Sequence, residues 1–273
     1  MDNASQQGKS GAAGAQSVDR ALWLLSAIAR AGGSAVPINA LVDQSGLSRP
    51  TVRRMLLALI RAGLVEQDEG SRTYGLGAES YVIGLMANRR FNLLDLAIDS
   101  LVALSRDSED TSFLSIRRGS HSICLHREDG PFPIRTQALQ AGQMHPLGVG
   151  AGAMAILAAL SDVEAEDIIA DNMQVLASGY SGYTPDLLKV HMRETRERGW
   201  SVNPGLYLPN SWALGIALIA PGGQPIGALS IAAIETRMQP ERQLEIAALL
   251  SREKHTIEKK LNRKLDFNSP STA

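Results

Sequence analysis

Along the first quarter of the chain, apolar residues recur at helical spacing in three separate blocks. Val18, Ala21, Leu22, Leu25, Ile28 and Ala29 predict a first helix, with Ser17 placed as its cap and Gly32-Gly33 as its stop. A shorter helix follows Pro37, carries Ile38, Leu41 and Val42 inward, and ends at Gly46, where a positive φ turns the chain sharply. The third runs from about Arg49 to Arg61, with Ser48 at the N-cap position and Pro50 in the first turn, where no intrahelical donor is lost. Val52, Met55, Leu56, Leu59 and Ile60 share one of its faces; Thr51, Arg54 and Arg61 share the opposite one, with Arg53 at the flank. Leu64 to Glu66 and Arg72 to Leu76 then read as strands joined by the turn-rich Asp68-Glu69-Gly70-Ser71. Three helices with a tight turn between the second and third, closed by a hairpin, spell a winged helix-turn-helix.

From Glu79 to about Ser105 the period is helical again, with an interruption expected near Asn88-Arg89-Arg90. After Thr111 it shifts to strands: Ser112 to Ile116, Ser122 to His126, and Ile134 to Gln137. Helices are predicted at Ala151 to Leu160, from Asp162, and at Pro185 to Arg198 with Thr184 as cap. Strands return at Trp200 to Val202, Ala213 to Ile219 and Gly227 to Ala233, and Pro240 to Lys264 closes the pattern as a long amphipathic helix. Two blocks of strands around helices give an α+β sensor-like domain.

Charge changes this picture at one place. The chain of 273 residues has a formal net charge of -1, which hints at no nucleic-acid or membrane partner. Yet four arginines and no acidic residue lie between Asp43 and Glu66. A one-signed face on the second helix of a helix-turn-helix matches the major groove of duplex DNA, where arginine pairs with guanine and a threonine methyl meets thymine. The residues nearest base edges and phosphates are then Ser48, Arg49, Thr51, Arg53 and Arg54, with Arg72 of the hairpin at the minor groove or flanking backbone. One such domain makes few phosphate contacts, so a dimer on a two-fold site is expected.

Other chemistry finds little support. Cys124 is the only cysteine, and the five histidines lack the spacing of a helical metal pair, so no metal and no cofactor is expected. Residues 1–16 read as a disordered tail without the apolar stretch of a signal peptide. No apolar run approaches the ~20 residues of a membrane span, and a single cysteine fits a reducing cytosol, so a cytoplasmic location is expected. Gly148 to Ala153 satisfies G-x-G-x-x-A, but His145 and Pro146 stand where a buried parallel strand should precede it. Gly179-Tyr180-Ser181-Gly182 lacks the second glycine of a nucleophile elbow. No enzyme is expected; the remaining rival is a ligand sensor whose winged helix makes protein contacts.

With these residues in view, the sequence resembles the IclR family of bacterial transcriptional regulators. The resemblance is carried by "SVDRALWLL", "LSRPTVRRMLLALIRAGLVEQ" with its "YGLG" exit, "GQMHPLGVGAGAMAILAAL", "RERGWSVN" and "GALSIAA", in the family's order. It implies a mixed fold: an N-terminal winged helix-turn-helix over 17–77 that binds palindromic operators, a linker helix over 78–92, and a C-terminal α+β, GAF-like effector-binding domain over 93–266. A tail over 267–273 would follow. Members act as dimers or dimers of dimers.

Carried over by position, the family's effector pocket implies Ala151 and Gly152 at a helix start, Asn203, Ala213, Ser230 and Ala232. An acidic residue is common in the family where Asn203 stands, a cysteine or similar polar residue where Ala213 stands, serine where Ala232 stands and lysine where Met154 stands. A less polar cavity is the consequence. The expectation is a carboxylate docked on the N–H groups of Gly150, Ala151 and Gly152, and an apolar or aromatic body against Ala213, Ala232 and Met144 or Leu147. Asn203 and Ser230 would orient it. The alternative is that these small residues only allow a helix to pack closely on a sheet.

Overall fold

A computed structural model describes residues 15–31, 35–91 and 93–268. Gly32-Gly33 and most of the two expected tails lie outside the described residues. The chain divides after Phe91 into two compact units.

In the first unit, α1 (Gln16–Arg30), α2 (Ile38–Ser45) and α3 (Arg49–Arg61) bury Leu24, Leu41, Val52 and Leu56 completely. Ser17 falls inside the first turn of α1 and Ala15 holds the cap position, so the expected Ser17 cap is not formed. Gly46 closes α2 with φ +64, its N–H bonded to Val42 O at 3.0 Å, and sends the chain into α3. The wing is a three-stranded antiparallel sheet in the order β1 (Val36–Pro37), β3 (Thr73–Leu76), β2 (Val65–Gln67). The sequence pattern gave no sign of β1, because a two-residue strand has no period; its pairing of Val36 with Tyr74 ties the start of α2 to the wing. The following helix, α4 (Ala78–Phe91), is continuous through Asn88-Arg89-Arg90, so the expected interruption there is absent; α5 starts at Leu93.

The second unit is built on one antiparallel sheet, in spatial order β6 (Met144–Pro146), β5 (His121–Glu128), β4 (Thr111–Arg118), β9 (Pro225–Ile234), β8 (Ser211–Ile219), β7 (Ser201–Pro204). Alternation along β9 assigns its two faces. Leu229, Ile231 and Ala233 pack with α5 (Leu93–Ser108) and α9 (Pro240–Asn268), whereas Ala228 faces the cluster built by α6 (Ala151–Ala158), α7 (Asp162–Gly179) and α8 (Pro185–Arg198). The last helix therefore overruns the expected start of a C-terminal tail at 267. Ser161 Oγ caps α7 through Glu164 N–H at 3.3 Å, and Thr184 Oγ1 caps α8 through Leu187 N–H at 3.2 Å.

All eight residues of α6 are buried, since the helix lies between the sheet and α8. Its approach to β8 is backbone on backbone: a Cβ at Gly215 would stand 2.7 Å from Ala151 C and O and 2.9 Å from Gly152 N. The expected strand at Ile134 to Gln137 does not form. Pro131 and Pro133 remove ladder donors there, and Phe132 anchors the segment by donating its N–H to Glu109 O at 3.0 Å beneath the Arg237 guanidinium, 3.9 Å from the ring centroid. The loop rejoins the sheet where Gly142 N–H meets Cys124 O at 2.8 Å, having carried Ala138 and Leu139 over the face that also holds Phe113 and Ala232.

Gly215→Ala is expected to lower the unfolding free energy by about 2 kcal/mol or more, because helix backbone and not a flexible side chain must give way. Gly222→Ala, with nothing within 4 Å of its Cβ position, should stay within about 0.5 kcal/mol. Equal urea midpoints for the two variants would show that the close approach carries no such cost.

Candidate nucleic-acid face and effector cleft

On α3, Arg49, Pro50, Arg53, Arg54, Leu57, Ala58 and Arg61 are exposed, opposite the buried Val52, Met55, Leu56 and Leu59. Among the described residues, Arg53, Arg54 and Arg61 form no ion pair or side-chain hydrogen bond, and this half of the helix surface carries positive charge with no internal partner. Arg49 differs: its Nη1 donates to Asn39 Oδ1 at 2.6 Å, pinning the start of α3 to α2. Ser48 occupies the N-cap position in extended geometry, but its hydroxyl lies 2.9 Å from Thr51 Oγ1 and caps no backbone N–H. The N–H groups of the first turn stay available to an anion.

The wing is less basic than Arg72 alone suggests. Its tip also presents Asp68 and Glu69, although Asp68 is spoken for: Oδ1 accepts from Ser71 N–H at 2.6 Å and Ser71 Oγ at 2.7 Å, which holds its carboxyl below the usual range. That turn forces Arg72 to φ 59 and projects it from the hairpin. The exposed Leu57 was missed from the sequence, where it reads as one more apolar residue in a run; its 45% exposure puts it between the arginines on the outer face.

In the second unit a cleft of about 560 Å³, mouth included, opens between the start of α6 and the sheet. Strand register assembles its sheet wall. Asn203, Ala213 and Ala232 are successive cross-strand partners over β7, β8 and β9, and Phe113 pairs with Ser230 over β4 and β9. Gly150, Ala151 and Gly152 form the helical wall. Close packing and the cleft fall on the same small residues: Ala151 packs on Gly215, while a Cβ on Gly152 would stand 3.4 Å from the cleft-lining Ser230 Oγ.

Two expected members are not there. Leu147 is fully buried in the core under α6 and α8, and Met144 does not line the cleft. On β6 the residue after Met144, His145, lines the cavity instead, because a strand alternates sides and the register against β5 sets His145 opposite Ser122, which also lines it; Leu147 lies past the end of the strand. Met154, too, is buried in that core and reaches no ligand space.

Polar groups around the helix start are arranged by Tyr183. Its Oη accepts from Gly150 N–H at 3.4 Å and from Asn203 Nδ2 at 3.1 Å, while Asn203 Oδ1 accepts from Leu206 N–H at 3.0 Å. Burial pushes the Tyr183 hydroxyl up to about 12, so it stays protonated. Asn203 thus positions the helix start as well as lining the cleft, and it brings no negative charge. The N–H groups of Ala151, Gly152 and Ala153 have no intrahelical acceptor, and no side chain caps them.

His145, which also lines the cleft, sits beside Tyr180 and Tyr207. Its Nδ1 lies 3.1 Å from Tyr180 Oη, and burial, helped by the nearby His121, drives its pKa down to about 4. Gly179 to Gly182, rejected as a nucleophile elbow, supplies that tyrosine. Cys124 is buried beside Phe113 with its thiol pushed up to about 12, which makes it packing and not a nucleophile. Gly148 to Ala153 follows the short antiparallel strand β6 and not the parallel strand of a dinucleotide fold. Among the described residues no cluster of three or more metal-ligating side chains occurs, and no helix is long and apolar enough to cross a membrane.

Comparison with known proteins bears on both units. Residues 17–69 match the IclR helix-turn-helix domain, and residues 86–258 match the bacterial transcriptional regulator IclR C-terminal domain. The acetate operon repressor of Salmonella typhimurium is 28% identical over 248 residues, 86% of each chain. Two solved structures share the fold. An IclR transcriptional regulator from Alicyclobacillus acidocaldarius superposes with a TM-score of 0.74 at 21% identity, over 89% of this chain and 98% of that one. An IclR homologue from Microbacterium hydrocarbonoxydans, solved in complex with 4-hydroxybenzoate, gives 0.71 at 13% identity, over 89% and 99%.

The depressed His145 pKa fixes a pH dependence. Above pH 6.5 the ring is neutral in folded and unfolded chains alike; between 6.5 and about 4 only the unfolded chain takes up the proton, so stability falls as pH falls. The full loss is on the order of 3 kcal/mol for this group, with His121 and His191, also shifted down by burial, adding to it. Melting temperatures of the wild type and His145→Phe across pH 4 to 7 should show a shallower acid decline for the variant; parallel curves would contradict the assignment.

Proposed function

The chain belongs to the IclR family of bacterial transcriptional regulators, and on that premise we propose that it reads a two-fold operator as a dimer and is switched by a small organic acid. The unpaired cationic face of α3 carries the first part of this reading. Arg53 and Arg54 reach base edges and phosphates of the major groove; Ser48, Thr51 and the helix start meet a phosphate; Arg49 both holds α3 to α2 and flanks the backbone. Arg72 takes the flanking DNA.

Self-association is supported by apolar surface that a monomer has no use for. On α4, Tyr81, Val82, Ile83, Leu85 and Met86 are all exposed, and α1 adds Val18 and Leu22, one helical turn apart. A helix this apolar on its outside needs a partner, and a second copy supplies the two-fold symmetry of an operator.

For the effector, the free N–H groups at the start of α6 suit a carboxylate, and Ala213, Ala232 and Phe113 suit an apolar or aromatic body. The bound 4-hydroxybenzoate of the Microbacterium homologue is a ligand of that type. An acid seated there alters the setting of the two recognition helices relative to the half-sites.

Two measurements test this reading. In anisotropy titrations against the DNA upstream of its own gene, affinity should fall steeply with salt, and Arg53→Ala and Arg54→Ala should each weaken binding more than tenfold and reduce the salt slope by about 1. Affinity that ignores salt and both substitutions would favour protein contacts in place of DNA. Gly152→Asp, which fills the cleft and adds a charge at the helix start, should abolish binding of any acid that the wild type takes; unchanged affinity would remove the anchor.

A further inference from the structure

The least explained atom of the effector cleft is Nε2 of His145. The side chain is buried, with 8% of the residue exposed, and the residue lines the cavity. Packing fixes it from two sides: Tyr207 lies edge-on with centroids 4.7 Å apart, and Tyr180 Oη holds Nδ1 at 3.1 Å. Nε2 is fully buried and has no hydrogen-bond partner among the described residues. Leaving such an atom unpaired is costly, and a fold tolerates it where a ligand completes the bond.

The chemistry of the missing partner follows from the ring's neutral state, which burial secures at pH 7. A neutral imidazole has one donor and one acceptor nitrogen. When the Tyr180 hydroxyl donates to Nδ1, Nε2 carries the proton and donates; when Nδ1–H donates to Tyr180 Oη, Nε2 accepts. A hydroxyl satisfies both arrangements. A carboxylate satisfies only the first, and it would bring a charge against a buried neutral ring that offers it a single donor, which offsets little of its desolvation. The charged end of an acid belongs on the helical wall, at the N–H groups of Ala151 and Gly152.

We infer that His145 Nε2 reads a hydroxyl group on the effector, and that this residue separates hydroxylated acids from their counterparts without the hydroxyl. The inference rests on the reading of the cleft as an acid site. It adds a second polar anchor, on β6, that sets which acids are distinguished.

The test uses the full chain and matched pairs: 3- and 4-hydroxybenzoate against benzoate, and lactate against propionate, titrated calorimetrically. At least one hydroxylated acid should bind tenfold or more tightly than its partner. His145→Phe, which keeps the ring packing, should bring that pair within about twofold by weakening only the hydroxylated member, with an unchanged or raised melting temperature at pH 7. His145→Gln, which keeps a donor and an acceptor, should recover part of the preference. Equal affinities within every pair, a preference that survives in His145→Phe, or equal weakening of both members would overturn the role of His145 while leaving an acid site in place. If none of these acids binds, the acid reading fails and this inference falls with it.

Discussion

The first turn of α6 rests on the backbone of β8 at Gly215, and the effector unit is organised around that contact. No side chain separates the two elements, so the helix start is pressed against the sheet while the rest of α6 is enclosed by α8. The same approach leaves a cavity beside it. Gly150, Ala151 and Gly152 on the helix and Ala213, Ala232 and Ser230 on the strands are too small to fill the angle between helix and sheet. Close packing and an open cleft are therefore two consequences of one choice of residues, and Tyr183 braces the corner by holding both Gly150 and Asn203.

The two units solve the same electrostatic problem in opposite senses. On α3 the arginines stay in water, where an unpaired cation is cheap to keep and ready for a polyanion. In the cleft the unpaired groups are neutral dipoles, the helix-start N–H groups and His145 Nε2. Neutral dipoles can hold a small anion without a buried countercharge, and Asn203 places no negative charge beside it.

Most helices were legible in the sequence because each buries one stripe, as α3 does with Val52, Met55, Leu56 and Leu59, whereas α6 and β9, covered on both sides, read as near-continuous apolar runs. What escaped had no period to read. The two residues of β1 and the three of β6 are too short for alternation, and two prolines and Phe132 took Ile134 to Gln137 out of the sheet. The α6 start, Asn203 and the small sheet residues of the cleft followed from the family resemblance. Met144 did not belong, because side-chain parity on β6 is set by its register with β5 and not by its own composition; Leu147 did not, because it follows the end of β6 and packs into the core under α6. His145 was missed for the same reason: a histidine next to a proline announces nothing until the strand's facing and the position of Tyr180 are known.

The central claim is that occupancy of the cleft and occupancy of DNA are linked through one chain, and linkage is reciprocal. The direct measurement is affinity for the DNA upstream of its own gene with and without a saturating acid that binds the cleft, paired with affinity for that acid with and without the DNA. The account predicts that both affinities change by one and the same factor, about fivefold or more in either direction. Two ligands that bind the same preparation with no effect on each other would contradict it.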